Sequence, residues 1–408
     1  MRDFFTPLAM TNFYNMEKNH NKISSNLIVI NKPKRILVAT GIYPPDVGGP
    51  ATYSKLLKDE LPKYSQNKVR AIILNFGEVR HWPKVIRHII YFFKALYRGY
   101  YCDVVYAQDP VSVGFPALFA AKILRKPFLL KVVGDYAWEQ GVARYGVKDD
   151  LDTFSLKTEP YSWFVRLLKK IEIYVANKAD AVIVPSIYLK KIISNWGISS
   201  EKITVIYNSF EPTKDILTKD MIRKKMKVSG ELVVSAGRLV SWKGFDTLIK
   251  SWSAVLVKYP KAKLLIIGDG PEKDNLEKMI NQLDLAESVL LTGRLERKML
   301  LVYIKMSDVF VLNTGYEGFS HQLLETASVG TPIVTTNVGG NPEIVKDQVT
   351  GLLVEYNNEE ELTSAMINIL TSPELARKFS LGGESRVQEF SVERMITNLI
   401  RLVLKTSL

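Results

Sequence analysis

Two carboxylates, Glu317 and Glu325, flank a stretch that reads EGFSHQLLE. An α-helix turns by about 100° per residue, so Glu325 shares a helix face with His321. Ser320 is suited to cap the N-terminus of that helix, just after Glu317. Two carboxylates placed in this way can accept hydrogen bonds from ligand hydroxyl groups. Taken alone, the same spacing is also typical of an amphipathic surface helix.

The start of the predicted helix also offers hydrogen-bond donors. The backbone N–H groups of Gly318, Phe319 and Ser320 would point out of the helix N-terminus, where anions bind readily. Arg238 and Lys243 lie five residues apart across a turn. A guanidinium group can bind a phosphate through two hydrogen bonds, and an ammonium group adds a point charge. If the fold places these two cations beside the two carboxylates, they could hold a diphosphate. If it does not, they would be ordinary surface charges.

The composition is that of a globular protein with two domains. The chain has 408 residues, of which 47% are hydrophobic, and one cysteine, Cys102. A single cysteine excludes an intrachain disulfide and a cysteine cluster for zinc, which favours a reducing compartment. We expect no signal peptide and no transmembrane helix, because no apolar run has the required length.

Positive charge is concentrated in the first half of the chain. Residues 1–210 contain 30 basic and 17 acidic side chains, whereas residues 211–408 contain 25 of each. This asymmetry indicates an anionic partner, such as a phosphorylated substrate, nucleic acid or an anionic membrane. A merely lysine-rich composition would look the same, and no nucleic-acid-binding module is recognisable.

The first half predicts a doubly wound parallel sheet. Short apolar runs, each ended by glycine or polar residues, alternate with helical spacers, which is the βαβ pattern. A loop with Gly48 and Gly49 follows the first of these runs, where ligands of such sheets bind. The predicted strands lie near residues 35–40, 69–74, 103–107, 128–133, 181–185 and 203–207.

The spacer at residues 81–101 combines seven aromatic side chains with interleaved lysine, arginine and histidine residues. A basic, aromatic amphipathic helix of this kind rests in membrane interfaces. A crossover helix that packs its aromatic side chains on the sheet is the alternative. The basic first half favours peripheral contact with an anionic membrane.

The second half repeats the βα pattern after a polar, lysine-rich segment at 212–228. Nearly every predicted strand ends in glycine or a short polar residue, so these ends should line one shared crevice. The predicted strands lie within or near residues 231–239, 263–267, 289–292, 309–312, 332–335 and 351–354.

These residues together resemble the retaining glycosyltransferases of glycosyltransferase family 4. The resemblance covers the chain from about Lys34 onward, and its motifs are more specific in the second half. The matching positions are Gly48, Gly49, Gly237, Arg238, Lys243, Gly244, Gly268, Asp269, Gly270, Gly293, the stretch from Glu317 to Glu325, Gly339, Gly340, Pro342 and Glu343.

The resemblance implies an α/β fold of the GT-B architecture, with two facing Rossmann-like domains and a cleft between them. It implies an irregular extension at 1–33 and an acceptor-binding domain at 34–212. A nucleotide-sugar-binding domain would follow at 213–390, and a final helix at 391–408 would cross back to the first domain.

The resemblance also implies roles for individual residues. Arg238 and Lys243 would bind the nucleotide diphosphate and stabilise the leaving group. Glu317 and the N–H groups of Gly318, Phe319 and Ser320 would hold the donor sugar, and Glu325 would hold the ribose. Donor contacts would also come from loop residues: Gly48, Gly49, Gly268, Gly270, Gly293 and Leu295. No cofactor is implied. No metal is implied either, because no Asp-x-Asp pair ends a strand.

One position departs from the family. Many relatives carry a histidine at the end of a central strand of the first domain, where this chain has Gly134 and Asp135. We expect Asp135 to contact the sugar or to act as the base for the acceptor hydroxyl; a helix cap is the alternative. Tyr136, Trp138 and Glu139 would then form the acceptor wall.

The sequence therefore predicts a metal-independent hexosyltransferase with a nucleotide-sugar donor. The acceptor would be a lipid-linked or surface-polysaccharide glycan, such as lipopolysaccharide. The protein would lie in the cytoplasm, at the inner face of the membrane, and would not bind nucleic acid. A nucleotide-sugar epimerase of the same architecture and a non-catalytic glycan- or nucleotide-binding protein are the alternatives.

Overall fold

The computed structural model describes residues 32–46, 48–157, 161–210 and 217–406. Most of the predicted extension at 1–33 therefore lies outside the described residues. The predicted boundary between residues 212 and 213 also lies outside them.

A parallel six-stranded sheet forms the first half of the chain. Its strand order is β2-β1-β3-β4-β5-β6, as in a doubly wound fold. The strands are continuous apolar runs because helices cover both faces of the sheet. They are β1 (Lys34–Thr40), β2 (Val69–Asn75), β3 (Val104–Ala107), β4 (Phe128–Lys131), β5 (Ala181–Val184) and β6 (Ile203–Val205).

The second half forms another parallel six-stranded sheet, with the order β12-β11-β10-β7-β8-β9. Both predicted sheets are thus confirmed, together with the two-domain α/β fold. The strands are β7 (Leu232–Ala236), β8 (Lys263–Ile267), β9 (Val289–Gly293), β10 (Val309–Leu312), β11 (Ile333–Thr336) and β12 (Leu352–Val354).

Helices connect the strands and cover the faces of both sheets. In the first half they are α1 (Gly49–Tyr64), α2 (Lys84–Tyr100), α3 (Phe115–Leu124), α4 (Tyr136–Arg144), α5 (Leu151–Leu156), α6 (Trp163–Lys178) and α7 (Ile187–Asn195). In the second half they are α8 (Lys219–Met226), α9 (Phe245–Lys258), α10 (Lys273–Gln282), α11 (Arg297–Met306), α12 (His321–Ser328), α13 (Asn341–Ile344), α14 (Glu359–Thr371), α15 (Pro373–Val387) and α16 (Val392–Thr406). Across the described ranges, no helix is both long and apolar enough to cross a bilayer.

The last helix, α16, packs on the first sheet rather than the second. Its apolar face carries Met395, Ile396, Leu399 and Val403, all of them buried. These side chains share one core cluster with residues of β1, β3 and α1. Burial of this apolar stripe therefore fixes the C-terminal segment to the first domain.

The carboxyl ends of both sheets meet at one cavity of about 200 Å³. The first domain contributes the end of β4 and the segments that follow β1, β3, β5 and β6 to the cavity wall. On the second side, the segment after β10 and the start of α12 complete it. The lining residues are Gly49, Pro50, Tyr53, Gln108, Lys131, Val133, Glu139, Pro185, Asn208, Tyr316, Glu317, Gly318, Phe319 and His321.

Candidate active site

The segment after β10 closes against the first domain. A Cβ atom on Gly318 would lie 2.5 Å from the carbonyl oxygen of Val133 and 2.8 Å from Leu189 Cδ1. Only glycine allows the two domains to approach this closely here. Ser320 then caps α12, with its hydroxyl accepting a hydrogen bond from the Leu323 N–H group at 3.4 Å.

The Phe319 side chain is packed in the core of the second domain. Its ring packs against Tyr207 and Phe390, with ring centroids 5.3 Å apart in both pairs. Phe319 is buried and belongs to the core below α12. This anchoring holds the backbone of the loop, so Phe319 can contribute to binding only through its main chain.

Lys243 and Glu317 form an ion pair between the segments that follow β7 and β10. Both side chains are largely buried, with 12% and 17% of their surface exposed. Arg238 is exposed nearby and makes no hydrogen bond or ion pair with the other residues that the structure describes. The predicted diphosphate-binding pair is thus one engaged lysine and one available arginine.

Gly268 and Gly270 act by packing. A Cβ atom on Gly268 would collide with the carbonyl oxygen of Gly237, and one on Gly270 with that of Leu239. The Leu239 N–H group donates to the carbonyl oxygen of Asp269 at 3.0 Å. Because both residues are glycine, the segments after β7 and β8 can pack backbone against backbone. This packing fixes the position of the segment that carries Arg238 and Lys243.

Glu325 pairs with Arg297 on α11, with Nε and Oε1 2.5 Å apart. Gly293 ends β9 with a φ of +71°, which favours glycine. Leu295 is half-buried beside the core of the second domain. Gly293 at the end of β9, Leu295 just after it and Glu325 on α12 all lie outside the cavity lining.

Gly49 lies where the first-domain wall meets the second domain, whereas Gly48 packs against Ile42 of the first domain and is outside the cavity lining. A Cβ atom on Gly49 would be 3.8 Å from the ring of His321, an ordinary contact. His321 opens α12 and lines the cavity. Burial, together with the nearby positive charge of Lys131, lowers the pKa of His321 to about 4. The imidazole is therefore neutral near pH 7.

The structure supports the helix-cap alternative for Asp135, and its role as a base stays a prediction. Asp135 is fully buried, and its Oδ1 atom accepts a hydrogen bond from the Trp138 N–H group at 2.7 Å, so it caps α4. Burial raises the pKa of Asp135 to about 6, opposed by that hydrogen bond. Glu172 binds the next two N–H groups, of Tyr136 and Ala137, at 2.8 and 3.2 Å. A base must reach the proton it takes, and Asp135 is not part of the cavity lining.

Tyr136 and Trp138 also differ from their predicted place in the acceptor wall. Tyr136 is half-buried and packs against the first core. The Trp138 ring contacts Tyr316 and Trp242 of the second domain, with centroids 4.8 and 5.5 Å apart. Its indole N–H group donates to the carbonyl oxygen of Asp149 at 2.9 Å. Trp138 thus joins the two domains, and neither ring lines the cavity.

Glu139 is the member of this segment that faces the cavity. Its Oε1 atom would lie 2.8 Å from a Cβ atom on Gly134, and the Tyr316 hydroxyl would lie 2.7 Å from the same atom. Burial raises the pKa of Glu139 to about 7, and Asp135 adds to the rise. Arg238 opposes it, because its positive charge favours the carboxylate.

Gln108, Lys131 and Tyr316 are among the cavity residues that were not predicted as site residues. The Tyr316 hydroxyl is buried and has no hydrogen-bond partner among the residues described. Lys131 interrupts the apolar run FLLKVV. Because a charged residue is rare within a buried strand, this feature could have identified Lys131 as a site residue from the sequence. No cluster of three or more metal-ligating side chains occurs within the described ranges; metal independence stays a prediction.

The comparisons with known proteins agree with this geometry. The family model for "Glycosyltransferase Family 4" matches residues 50–214, and that for "Glycosyl transferases group 1" matches residues 218–386. An uncharacterised glycosyltransferase of Haemophilus influenzae is 31% identical over 42% of this chain and 49% of its own length. The chain therefore spans about half the length of that relative.

Two further proteins match along most of the chain. The alpha-monoglucosyldiacylglycerol synthase of Streptococcus pneumoniae is 24% identical over 89% of this chain and 87% of its own length. The crystal structure of Anabaena HepE in complex with UDP-glucose has a TM-score of 0.70 and 18% identity. It covers 91% of this chain and 99% of its own.

The two facing sheets and the cleft between them define a glycosyltransferase of the GT-B architecture. The chain belongs to the family 4 glycosyltransferases, as the two family models, which together match most of the chain, show.

Proposed function

We propose that the protein transfers a sugar from a nucleotide-diphosphate sugar to an acceptor hydroxyl, with retention of configuration. The observation that carries this proposal is the buried Lys243–Glu317 ion pair beside the cleft. It supplies a cation for the diphosphate and a carboxylate for sugar hydroxyls within one contact. The relative whose structure holds UDP-glucose supports a nucleotide sugar as the donor.

Arg238 and Lys243 stabilise the charge that develops on the leaving diphosphate. Glu317 and the N–H groups that begin α12 hold the donor sugar, and Glu325 binds the ribose after exchanging its contact with Arg297. Gly293 and Leu295 lie where the base would pack. No metal is needed in this arrangement, because the two cations neutralise the diphosphate.

The acceptor oxygen attacks the anomeric carbon on the face from which the diphosphate leaves. The new C–O bond forms as the bond to the phosphate oxygen breaks, and the acceptor proton passes to the departing diphosphate. Glu139 replaces Asp135 as the carboxylate that orients the acceptor hydroxyl. Its place in the cavity lining and its raised pKa of about 7 support this assignment.

Thermal stabilisation by a panel of nucleotide sugars tests the donor site, since a ligand that binds the folded state raises its melting temperature. We expect one nucleotide sugar to stabilise the protein more than the others and to be consumed when a lipid-linked glycan is added. Isomerised nucleotide sugar formed without an acceptor would contradict the transferase and identify an epimerase. No nucleotide-diphosphate binding at all would favour a non-catalytic protein.

We further propose that the acceptor is a glycan on a membrane lipid. The relative named alpha-monoglucosyldiacylglycerol synthase supports a lipid acceptor. One surface of the first domain supports contact with the bilayer. Apolar and aromatic side chains are exposed there on α2, α3 and α6, of which α3 contacts both of the others: Val85, Ile86, Ile89, Phe93, Tyr97, Tyr100, Phe115, Phe119, Ile123, Trp163 and Leu167.

This aromatic surface is bordered by exposed basic side chains on the same helices, among them Lys84, Lys122 and Lys170. Aromatic rings enter the interface of a bilayer, and basic side chains attract anionic lipids. The protein would then lie in the cytoplasm at the inner face of the membrane, with its cleft near the lipid acceptor.

Co-sedimentation with vesicles of phosphatidylglycerol and phosphatidylcholine tests this surface. Phe93 and Tyr97 are 60% and 70% exposed, so replacing both with serine should reduce the bound fraction without unfolding the protein. Val257→Ser is the matched control, because Val257 is 85% exposed on the second domain. Equal binding by the double variant and the wild type would contradict the membrane proposal.

A further inference from the structure

Lys131 is a buried cation in the wall of the cleft. It ends β4, is 2% exposed and lines the cavity. Its Nζ atom donates to Asn208 Oδ1 at 2.8 Å and lies 3.2 Å from the centroid of the Tyr53 ring. Throughout the described ranges, no carboxylate lies within ion-pair distance of this amine. The contacts that the amine makes are therefore the amide oxygen of Asn208 and the face of the Tyr53 ring.

Burial without an anion is unfavourable for an ammonium group. Accordingly, burial lowers the pKa of Lys131 well below its usual range. The Glu317 carboxylate in the same cavity lining pairs with Lys243 rather than with Lys131, and the nearby phenol and imidazole groups provide no negative charge. Burial raises the pKa values of the Tyr53 and Tyr106 phenols, so both are neutral, and the His321 imidazole is also neutral near pH 7. An anion in the cavity would restore the charged amine by pairing with it.

Gln108 provides a second donor in the same wall. It is 4% exposed, and its Oε1 atom accepts hydrogen bonds from Ser54 at 3.1 Å and from Thr40 at 3.3 Å. Nε2 is the other end of this amide. Nε2 is buried and has no hydrogen-bond partner in the part of the chain that the structure describes. A buried donor left in this way points to a ligand acceptor.

We propose that Lys131 and Gln108 form an anion subsite on the first-domain wall of the cleft, which binds a carboxylate or phosphate group of a sugar substrate. The inference rests on the proposed sugar transfer, since it names the substrate class of the same cleft. The subsite is separate from the cations assigned to the nucleotide diphosphate, Arg238 and Lys243, which belong to the second domain. It would select acidic sugars over neutral ones.

The charged group has two possible sources, the donor sugar and the acceptor. Calorimetry on the full chain separates them. To test the donor sugar, the affinity for UDP-glucuronic acid is compared with the affinity for UDP-glucose. Glucose 6-phosphate is compared with glucose, in the presence of saturating UDP, for the acceptor. We expect one acidic probe to bind about tenfold or more tightly than its neutral counterpart, as a charge-assisted hydrogen bond allows.

Lys131→Met keeps the length and the apolar stem of the side chain and removes the amine. We expect it to abolish the preference for the acidic probe and to leave UDP affinity unchanged. Gln108→Glu is the second variant, because it keeps the acceptor for Ser54 and Thr40 but replaces the donor with a negative charge. The Gln108→Glu variant should lower the affinity for the acidic probe and leave the affinity for the neutral probe unchanged. Lys55→Met, at an exposed site on α1, is the matched control.

Two results would overturn the subsite: equal affinity of the wild type for acidic and neutral probes, or an unchanged preference in Lys131→Met. Either result together with normal UDP binding leaves the proposed transferase intact. Wild-type protein that fails to bind UDP and every nucleotide sugar would overturn the proposed function itself. The two failures are therefore distinguishable in one set of titrations.

Discussion

The Lys243 ammonium group and the Glu317 carboxylate form a largely buried ion pair between the segments after β7 and β10. In the protein alone, each partner neutralises the other. A donor diphosphate would take over Lys243, and Glu317 would then be free to accept hydrogen bonds from sugar hydroxyls. The Lys243–Glu317 ion pair thus orders the empty donor site, and binding of the donor would break this ion pair.

Replacing Lys243 with methionine should weaken UDP binding by about tenfold to a hundredfold, because a charge-assisted hydrogen bond contributes about 1.5–3 kcal/mol. Calorimetry with UDP measures the change. Lys250→Met serves as the control, since Lys250 pairs with Asp246 on the exposed face of α9. Wild-type affinity in the Lys243 variant would show that the diphosphate is held elsewhere.

Glu325→Ala should also weaken donor binding, by about tenfold, because the ribose hydroxyls would lose their acceptor. The effect should be smaller for a nucleobase-free probe such as pyrophosphate, which has no ribose. Glu374→Ala, at the start of α15, is a suitable control. If UDP and pyrophosphate lost affinity equally, Glu325 would act through Arg297 rather than through the ribose.

The positions of the strands could be predicted from sequence because each strand is an apolar run that ends in glycine or a polar residue. The segment around Asp135 could not be resolved in this way. A carboxylate three residues before Trp138 is compatible with both a helix cap and a catalytic base. The choice depends on Glu172 and Trp242, which are distant in sequence and pack beside this segment only in the fold.

Gly270→Ala should destabilise the second domain by about 2 kcal/mol or more, because the added methyl group would overlap the Leu239 carbonyl oxygen, part of the backbone. Gly49→Ala is the comparison, since its Cβ atom would make only ordinary contact at 3.8 Å with His321. Urea unfolding followed by tryptophan fluorescence gives both values. Similar midpoints for the two variants would contradict the packing argument.

Glu139 should make stability depend on pH. Burial raises its pKa from the usual 4.5 to about 7 in the folded protein. Between these values the folded state retains a proton that the unfolded state has lost, so stability falls as pH rises through this window. Above this window the wild type has lost about 3 kcal/mol of stability that Glu139→Gln retains, because one pKa unit corresponds to about 1.4 kcal/mol.

Urea unfolding at about pH 5 and about pH 8 measures this difference. We expect the Glu139→Gln variant to gain stability relative to the wild type as the pH rises. Glu360→Gln, at an exposed site on α14, should show no such gain. A wild type and a Glu139 variant that lose stability in parallel would mean that the carboxylate is solvated in the cleft. Glu139 would then lack the raised pKa that supports its role beside the acceptor hydroxyl.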